Sequence, residues 1–160
     1  MTAPRLQIDL DALAHNFHAL RHRVGGDLPA QRTGAVVKAN AYGLGMAPIA
    51  RRLWQEGCRR FFVALADEGE QLRSVLPQAQ IYVLAGVTGQ TLEAIKAHYL
   101  IPVLNSLEQC RLWSNANPGG TSALHIDTGM HRLGLSPDEA ISVLPPLQVE
   151  VVMTNFARAD

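Results

Sequence analysis

The stretch Ala35-Val36-Val37-Lys38-Ala39-Asn40-Ala41-Tyr42-Gly43-Leu44-Gly45 decides how this chain is read. Ala35 to Val37 read as a buried strand, and the ammonium of Lys38 follows where the strand should end. Burying a lysine ammonium is expensive, so a lysine in a dry site tends to lose its proton and become a nucleophile. A neutral amine there can form a Schiff base with a carbonyl compound, above all pyridoxal phosphate. A lysine at a strand end can equally reach back to water with only its stem buried. Gly43-Leu44-Gly45 places a turn and backbone amides ahead of a helix, which suits either a phosphate cradle or an ordinary strand-to-helix connection. It lacks the third glycine of a dinucleotide fingerprint and the Gly-Lys-Ser/Thr of a P-loop.

Outward from this stretch the chain alternates. Leu10, Leu13, Phe17, Leu20 and Val24 recur at spacings of three and four, which predicts an amphipathic helix over 9–24. Asp9 is its expected N-cap and Gly25-Gly26 its stop. Strands are predicted at Gly34–Lys38, Phe61–Leu65, Ile81–Leu84, Ile101–Leu104, Leu124–Asp127 and Val149–Met153. Helices are predicted between them at 46–56, 67–76, 91–98, 106–113 and 137–144, with Ser106 and Ser136 as caps. Asn115 to Gly120 reads as a loop, and Pro102 suggests a strand end or an irregularity. The alternation implies an α/β fold with a parallel sheet covered by helices. An open doubly wound sheet and a (β/α)8 barrel both fit, and both place chemistry at the carboxyl ends of the strands. Lys38, the segment Asp127 to Arg132, and Thr154-Asn155 all fall at such ends.

The composition sets limits. At 160 residues the chain suits one domain with a sizeable core. Lys plus Arg and Asp plus Glu balance at 14 each, so neither nucleic acid nor an anionic membrane is an expected partner. Arg51-Arg52 and Arg59-Arg60 read as isolated pairs at solvated helix and loop ends. Cys58 and Cys110 form no CxxC pattern and read as buried thiols of a reducing cytosol. The six histidines are scattered, so no metal site is expected. No signal peptide and no membrane-spanning apolar run is visible, which leads to a cytoplasmic location as the expectation.

Four stretches together resemble the alanine racemase family. They are Ile8 to Leu13 with Asn16, the stretch from Ala35 to Gly45, His125 to Leu135 (HIDTGMHRLGL), and Met153 to Asp160 (MTNFARAD). The resemblance implies the N-terminal part, about six βα units, of the family's pyridoxal phosphate-binding TIM barrel, covering residues 1–160. It implies that Lys38 forms the Schiff base with the cofactor and acts as one of two catalytic bases. Tyr42 falls on the tyrosine that contacts the cofactor phosphate. Arg132 falls on the arginine that bonds the phenolic oxygen of the cofactor and lies near the substrate carboxylate. Leu84 falls near an apolar wall of the cofactor pocket. Without the resemblance, Tyr42 could simply cap the rim, Leu84 could be core, and Arg132 could pair with Asp127 or Asp138.

The implied activity is interconversion of L- and D-alanine, which supplies D-alanine for peptidoglycan. The alternatives are a non-catalytic remnant that binds the cofactor, or another enzyme on the same barrel, such as a D-amino-acid aldolase or dehydratase. Three positions depart from the family pattern. Leu44 replaces a histidine of the signature. His125 stands where some members carry a carbamylated lysine that orients the arginine. Asn155 stands where a histidine usually packs beside the pyridine ring, and it is carried here as a cofactor contact by hydrogen bonding. Family members are much longer, so the resemblance also implies a truncated chain. The last strands and a C-terminal β domain would be missing. In the family's homodimer that domain supplies the second base, a tyrosine. The 160 residues alone are therefore expected to be weakly active or inactive.

Overall fold

The computed structural model describes residues 5–25, 32–143 and 147–158. Along the chain these form α1 (Leu10–Gly25), β1 (Gly34–Val36), α2 (Lys38–Tyr42), α3 (Met46–Gln55), β2 (Arg60–Val63) and α4 (Ala66–Val75). There follow β3 (Gln80–Val83), α5 (Leu92–Ala97), β4 (Ile101–Leu104), α6 (Leu107–Ala116), β5 (Thr121–His125), α7 (Pro137–Val143) and β6 (Gln148–Met153). The expected stop at Gly26, the expected helix end at Leu144, and the last two residues of the 153–160 segment lie outside the described residues.

Every strand pairing is parallel, and the order across the sheet is β1-β2-β3-β4-β5-β6. A doubly wound sheet reverses its strand order at a switch point. A strictly sequential order belongs to a barrel, so the described strands are a half-barrel and the doubly wound alternative falls. Alternate residues of each strand face opposite sides. One side, with Phe61, Val63, Ile81 and Val83, packs on Leu53, Leu72, Ile95 and Trp113 of the helices. The other side holds a smaller cluster of Tyr82, Val103 and Ala123, flanked by Phe62, Leu84 and Met153. Phe62 and Tyr82 stack there with centroids 4.7 Å apart, and the Tyr82 hydroxyl donates to the Glu150 carboxylate.

Local signals set the helix starts. The Asp9 carboxylate accepts from the Asp11 and Ala12 amides at 2.9 and 3.0 Å. Ser106 caps α6 and Ser136 caps α7 through the Gln109 and Glu139 amides, each at 3.3 Å. Several expectations need correction. Leu20 and Val24 are exposed, because the buried apolar contacts of α1 come from its first half, around Ala14 and Phe17. Helix α6 runs through Asn115 to Ala116, shortening the expected loop. Pro102 is internal to β4 and not at its end, and it marks the point where pairing passes from β3 (Ile101, Pro102) to β5 (Val103, Leu104). The arginine pairs also do more than face water. Arg52 bonds Asp11 at 2.6 Å and Glu56 at 2.7 Å, tying α1 to α3. Arg59 lies 4.1 Å over the Trp54 ring.

The main departure concerns β1. It stops at Val36, and Lys38 opens α2 instead of closing the strand. Ala39, Asn40, Ala41 and Tyr42 have φ of 50°, 54°, 54° and 55°, so α2 is a left-handed turn. For L-residues this conformation costs roughly 1–2 kcal/mol each. Four backbone bonds hold it: Ala41 N to Val37 O, Gly43 N to Ala39 O and Gly45 N to Asn40 O, each 2.9 Å, and Leu44 N to Ala41 O, 3.1 Å. Gly43, with φ of 84°, continues the left-handed path without a Cβ. Asn40 Oδ1 accepts from the Met46 amide at 2.8 Å and so starts α3.

Two stability predictions follow from this packing. Ala39→Gly should be neutral or stabilising by up to about 1 kcal/mol, because glycine removes the left-handed strain. In the right-handed α1, Ala19→Gly should instead cost about 0.5–1 kcal/mol. Urea midpoints of the two variants check this reversal of sign. Leu72→Ala, at a fully buried site in α4, should cost about 2–5 kcal/mol.

Candidate active site

The left-handed turn carries Lys38 and Tyr42 onto the rim formed by the carboxyl ends of the strands. Leu84 follows β3, His125 ends β5, Arg132 lies in the next loop, and Asn155 follows β6. All six side chains line one cavity of about 440 Å³, whose apolar walls include Val36, Leu65 and Met153. The volume lies in the ordinary range for small-molecule sites. The five residues singled out from sequence as candidate site residues, Lys38, Tyr42, Leu84, Arg132 and Asn155, are therefore together, joined by His125.

Lys38 is half-buried, which matches the alternative of a buried stem reaching toward water and not a fully dry site. Its Nζ lies 5.9 Å from the centre of the Tyr42 ring. Tyr42 itself is 63% exposed, so its phenol stands at the mouth. Leu84 is half-buried and borders the inner cluster.

Arg132 sits in a loop built by Asp127. The Asp127 Oδ1 accepts from the amides of Gly129 (2.9 Å), Met130 (2.9 Å) and His131 (3.1 Å). These amides, Gly129 first, hold the Asp127 carboxyl below its usual range. Leu135 closes the loop by bonding the His125 carbonyl and accepting from the Asp127 amide, both at 2.9 Å. Gly134, with φ of 111°, is required there: a Cβ would lie 2.7 Å from the Asp127 nitrogen. With Asp127 turned to its own backbone, Arg132 forms no ion pair with it or with Asp138. Thr128 and Thr154 bond at 2.7 Å through their hydroxyls, joining the Arg132 loop to the segment that carries Asn155.

Two functional contacts escaped the sequence reading. Asn105 is buried beside the site. It donates to the Leu84 carbonyl at 2.9 Å and the Val103 carbonyl at 2.7 Å. Its amide hydrogens are thus spent, so its Oδ1 must accept from His125 Nδ1 at 2.8 Å. That fixes the tautomer and leaves Nε2 as an acceptor. Glu68, in the first turn of α4, accepts from the Ala39 amide at 2.6 Å. The only signals in sequence were a polar residue next to the Ser106 cap and an acidic pair in a helix's first turn.

Elsewhere, a cavity of about 420 Å³ at the opposite end of the strands includes Lys96, Tyr99 and Trp113. Lys96 Nζ there lies 3.4 Å from Glu93, and among the described residues no nucleophile or anion-binding set gathers around it.

His125 is 8% exposed, and burial holds its pKa below the ordinary histidine value, with the Arg132 charge acting in the same direction against Asp127. Below about pH 6.5 the unfolded chain takes up a proton that the folded chain resists. This contribution to stability is present above that pH and is lost as pH falls toward the lowered folded value. Urea midpoints should drop between pH 7 and pH 5, and His125→Gln should flatten that part of the profile.

Residues 8–160 match the family described as alanine racemase, N-terminal domain. The alanine racemase of Methylobacterium nodulans is 42% identical over an alignment of 165 positions that covers 98% of this chain and 44% of that protein. The alanine racemase of Rhizobium meliloti is 43% identical, with 98% of this chain and 42% of that protein covered. Among solved structures, Bartonella henselae alanine racemase with covalently bound pyridoxal phosphate superposes with a TM-score of 0.81 at 32% identity. The match covers 94% of this chain and 46% of that one. Clostridium difficile alanine racemase in complex with cycloserine gives a TM-score of 0.82 at 26% identity, covering 95% and 44%. The chain spans less than half the length of these relatives, and on this match it belongs to the alanine racemase family.

Proposed function

We propose that this chain forms the cofactor-binding half of an alanine racemase site, which interconverts L- and D-alanine with pyridoxal phosphate and supplies D-alanine for peptidoglycan. The observation that carries this reading is the convergence of Lys38, Tyr42, Leu84, Arg132 and Asn155 on one cavity. The donor set fits the cofactor: a primary amine for its aldehyde, a phenol at the mouth for its phosphate, a guanidinium for an anionic oxygen, and apolar walls for its ring. When bound, the cofactor draws electrons from the α-carbon of the amino acid, so that the α-hydrogen becomes removable as a proton.

The protein groups do the rest. Lys38 Nζ would hold the cofactor through its aldehyde, and as a free primary amine it could take up the α-proton on its own face. Arg132 presents a planar guanidinium that can grip a carboxylate or phenolate through two hydrogen bonds. It is available to do so because Asp127 is engaged with its own loop. His125, held neutral by burial, offers Nε2 as an acceptor beside that cation, at the position where some relatives carry a carbamate. Asn155 supplies a hydrogen-bonding group in place of a stacked imidazole. Leu84, Val36 and Met153 keep water from one wall.

A proton must also be delivered on the opposite face. The Tyr82 phenol is buried, bonded to Glu150 and pushed well above its usual pKa by burial and that carboxylate. Tyr99 is 82% exposed and lies with the opposite cavity. Neither serves as that base, and we assign it to the C-terminal β domain of a second subunit, in a homodimer. No helix among the described residues is long and apolar enough to cross a membrane. A cytoplasmic location completes the proposal.

Titrating the protein with pyridoxal phosphate should give a saturable visible band. Lys38→Ala should abolish it, and Arg132→Ala should raise the half-saturation concentration by about tenfold, the scale of one charge-assisted pair. A band that survives in Lys38→Ala would overturn the assignment.

A further inference from the structure

We infer that Glu68 is the positioning residue for Lys38, a role that neither the spacing of the Lys38 stretch nor any group inside the cavity supplies. The inference rests on reading Lys38 as the cofactor-bearing amine. Glu68 lies in the first turn of α4, 29 residues from Ala39 in sequence. One carboxylate oxygen, Oε1, accepts from the Ala39 amide at 2.6 Å. The other, Oε2, accepts from the Ala64 amide at 2.7 Å and the Leu65 amide at 3.2 Å. A single carboxylate therefore joins the peptide that follows Lys38, the end of β2 and the start of α4.

The three donors matter for different reasons. Ala39 is the first residue of the left-handed turn and is bonded directly to Lys38. Its conformation is one that alanine avoids, so the peptide needs an external hold to stay there. The Ala64 carbonyl, in turn, accepts from the Ala85 amide at 3.0 Å, and the Leu84 amide donates to the Val63 carbonyl at 2.9 Å. The carboxylate thus sets the Lys38 peptide in register with the segment that carries Leu84. Hydrogen bonds to an ionised carboxylate are about twice as strong as neutral ones. Glu68 does not line the cavity, so it acts on the site through backbone it holds, the Ala39 amide next to Lys38 and the Ala64 and Leu65 amides of the cavity wall.

Glutamine is the informative replacement, because it keeps the shape and presents one acceptor oxygen. That oxygen should stay with Ala64 and Leu65, where it accepts twice. The new amine would then face the Ala39 amide, donor against donor. In Glu68→Gln, hydrogen exchange at the Ala39 amide should quicken at least about tenfold, while the Val83 amide in the core stays protected. The half-saturation concentration for pyridoxal phosphate should rise about tenfold, with Lys38 still the residue modified. Glu93→Gln, on the exposed face of α5, is the control and should change neither.

A half-saturation within twofold of the unmodified protein would overturn the inference, whatever happens to exchange. If Glu68→Gln does not fold, the unmodified protein decides. Couplings through the hydrogen bonds should then link the Ala39, Ala64 and Leu65 amide nitrogens to the Glu68 carboxyl carbon in its NMR spectra, and a missing Ala39 coupling would overturn the inference. If the unmodified protein takes up no cofactor at Lys38, the functional proposal fails. The exchange rate at Ala39 in Glu68→Gln then tests the hold on the turn by itself.

Discussion

The left-handed turn from Ala39 to Gly43 is the constraint around which the rest of the site is arranged. A right-handed helix starting at Lys38 would direct these side chains along another path. The left-handed path leaves Lys38 and Tyr42 on the same rim cavity. The strain of four L-residues at positive φ is met by four backbone bonds and by two polar side chains, Asn40 and Glu68. Such strain persists only where the surroundings over-determine it, and it gathers where function needs a fixed geometry.

The opposite side of the cavity is built by the same kind of device. Asp127 binds three successive amides of its own loop, and this shapes the loop that carries Arg132. Because that carboxylate is engaged locally, the guanidinium faces the cavity without an internal counter-ion among the described residues. His125 adds a neutral ring whose tautomer is set by Asn105. A primary amine, a guanidinium and a neutral acceptor then border one small space. This arrangement favours an anionic, planar ligand over a cationic or purely apolar one.

Much of the fold was legible in the sequence, and the reason is periodicity. Most helices and strands fall close to where apolar spacing placed them, but β5 begins three residues before the expected Leu124 and ends at His125, short of Asp127, and Asp9, Ser106 and Ser136 cap as their types suggest. The strand order was not legible, since an alternating pattern serves a doubly wound sheet as well as a barrel. Only the pairing of β1 with β2, and so on to β6, separates them. Lys38 was legible as a special residue, but its place beyond the strand was not. Ala39, Asn40, Ala41 and Tyr42 carry no mark of a left-handed path, apart from an asparagine and the glycine that follows. Glu68 and Asn105 were hidden for another reason. Their partners Ala39 and His125 are 29 and 20 residues away, and contacts at that range leave no local signal.

The central claim is that this turn presents one particular amine to the cofactor. The direct measurement is to mix the protein with pyridoxal phosphate, reduce with borohydride, and map the pyridoxyl group by peptide mass spectrometry. The account predicts one stoichiometric label, on Lys38. A label spread over Lys96 and the N-terminal amine, with Lys38 unmodified, would contradict it.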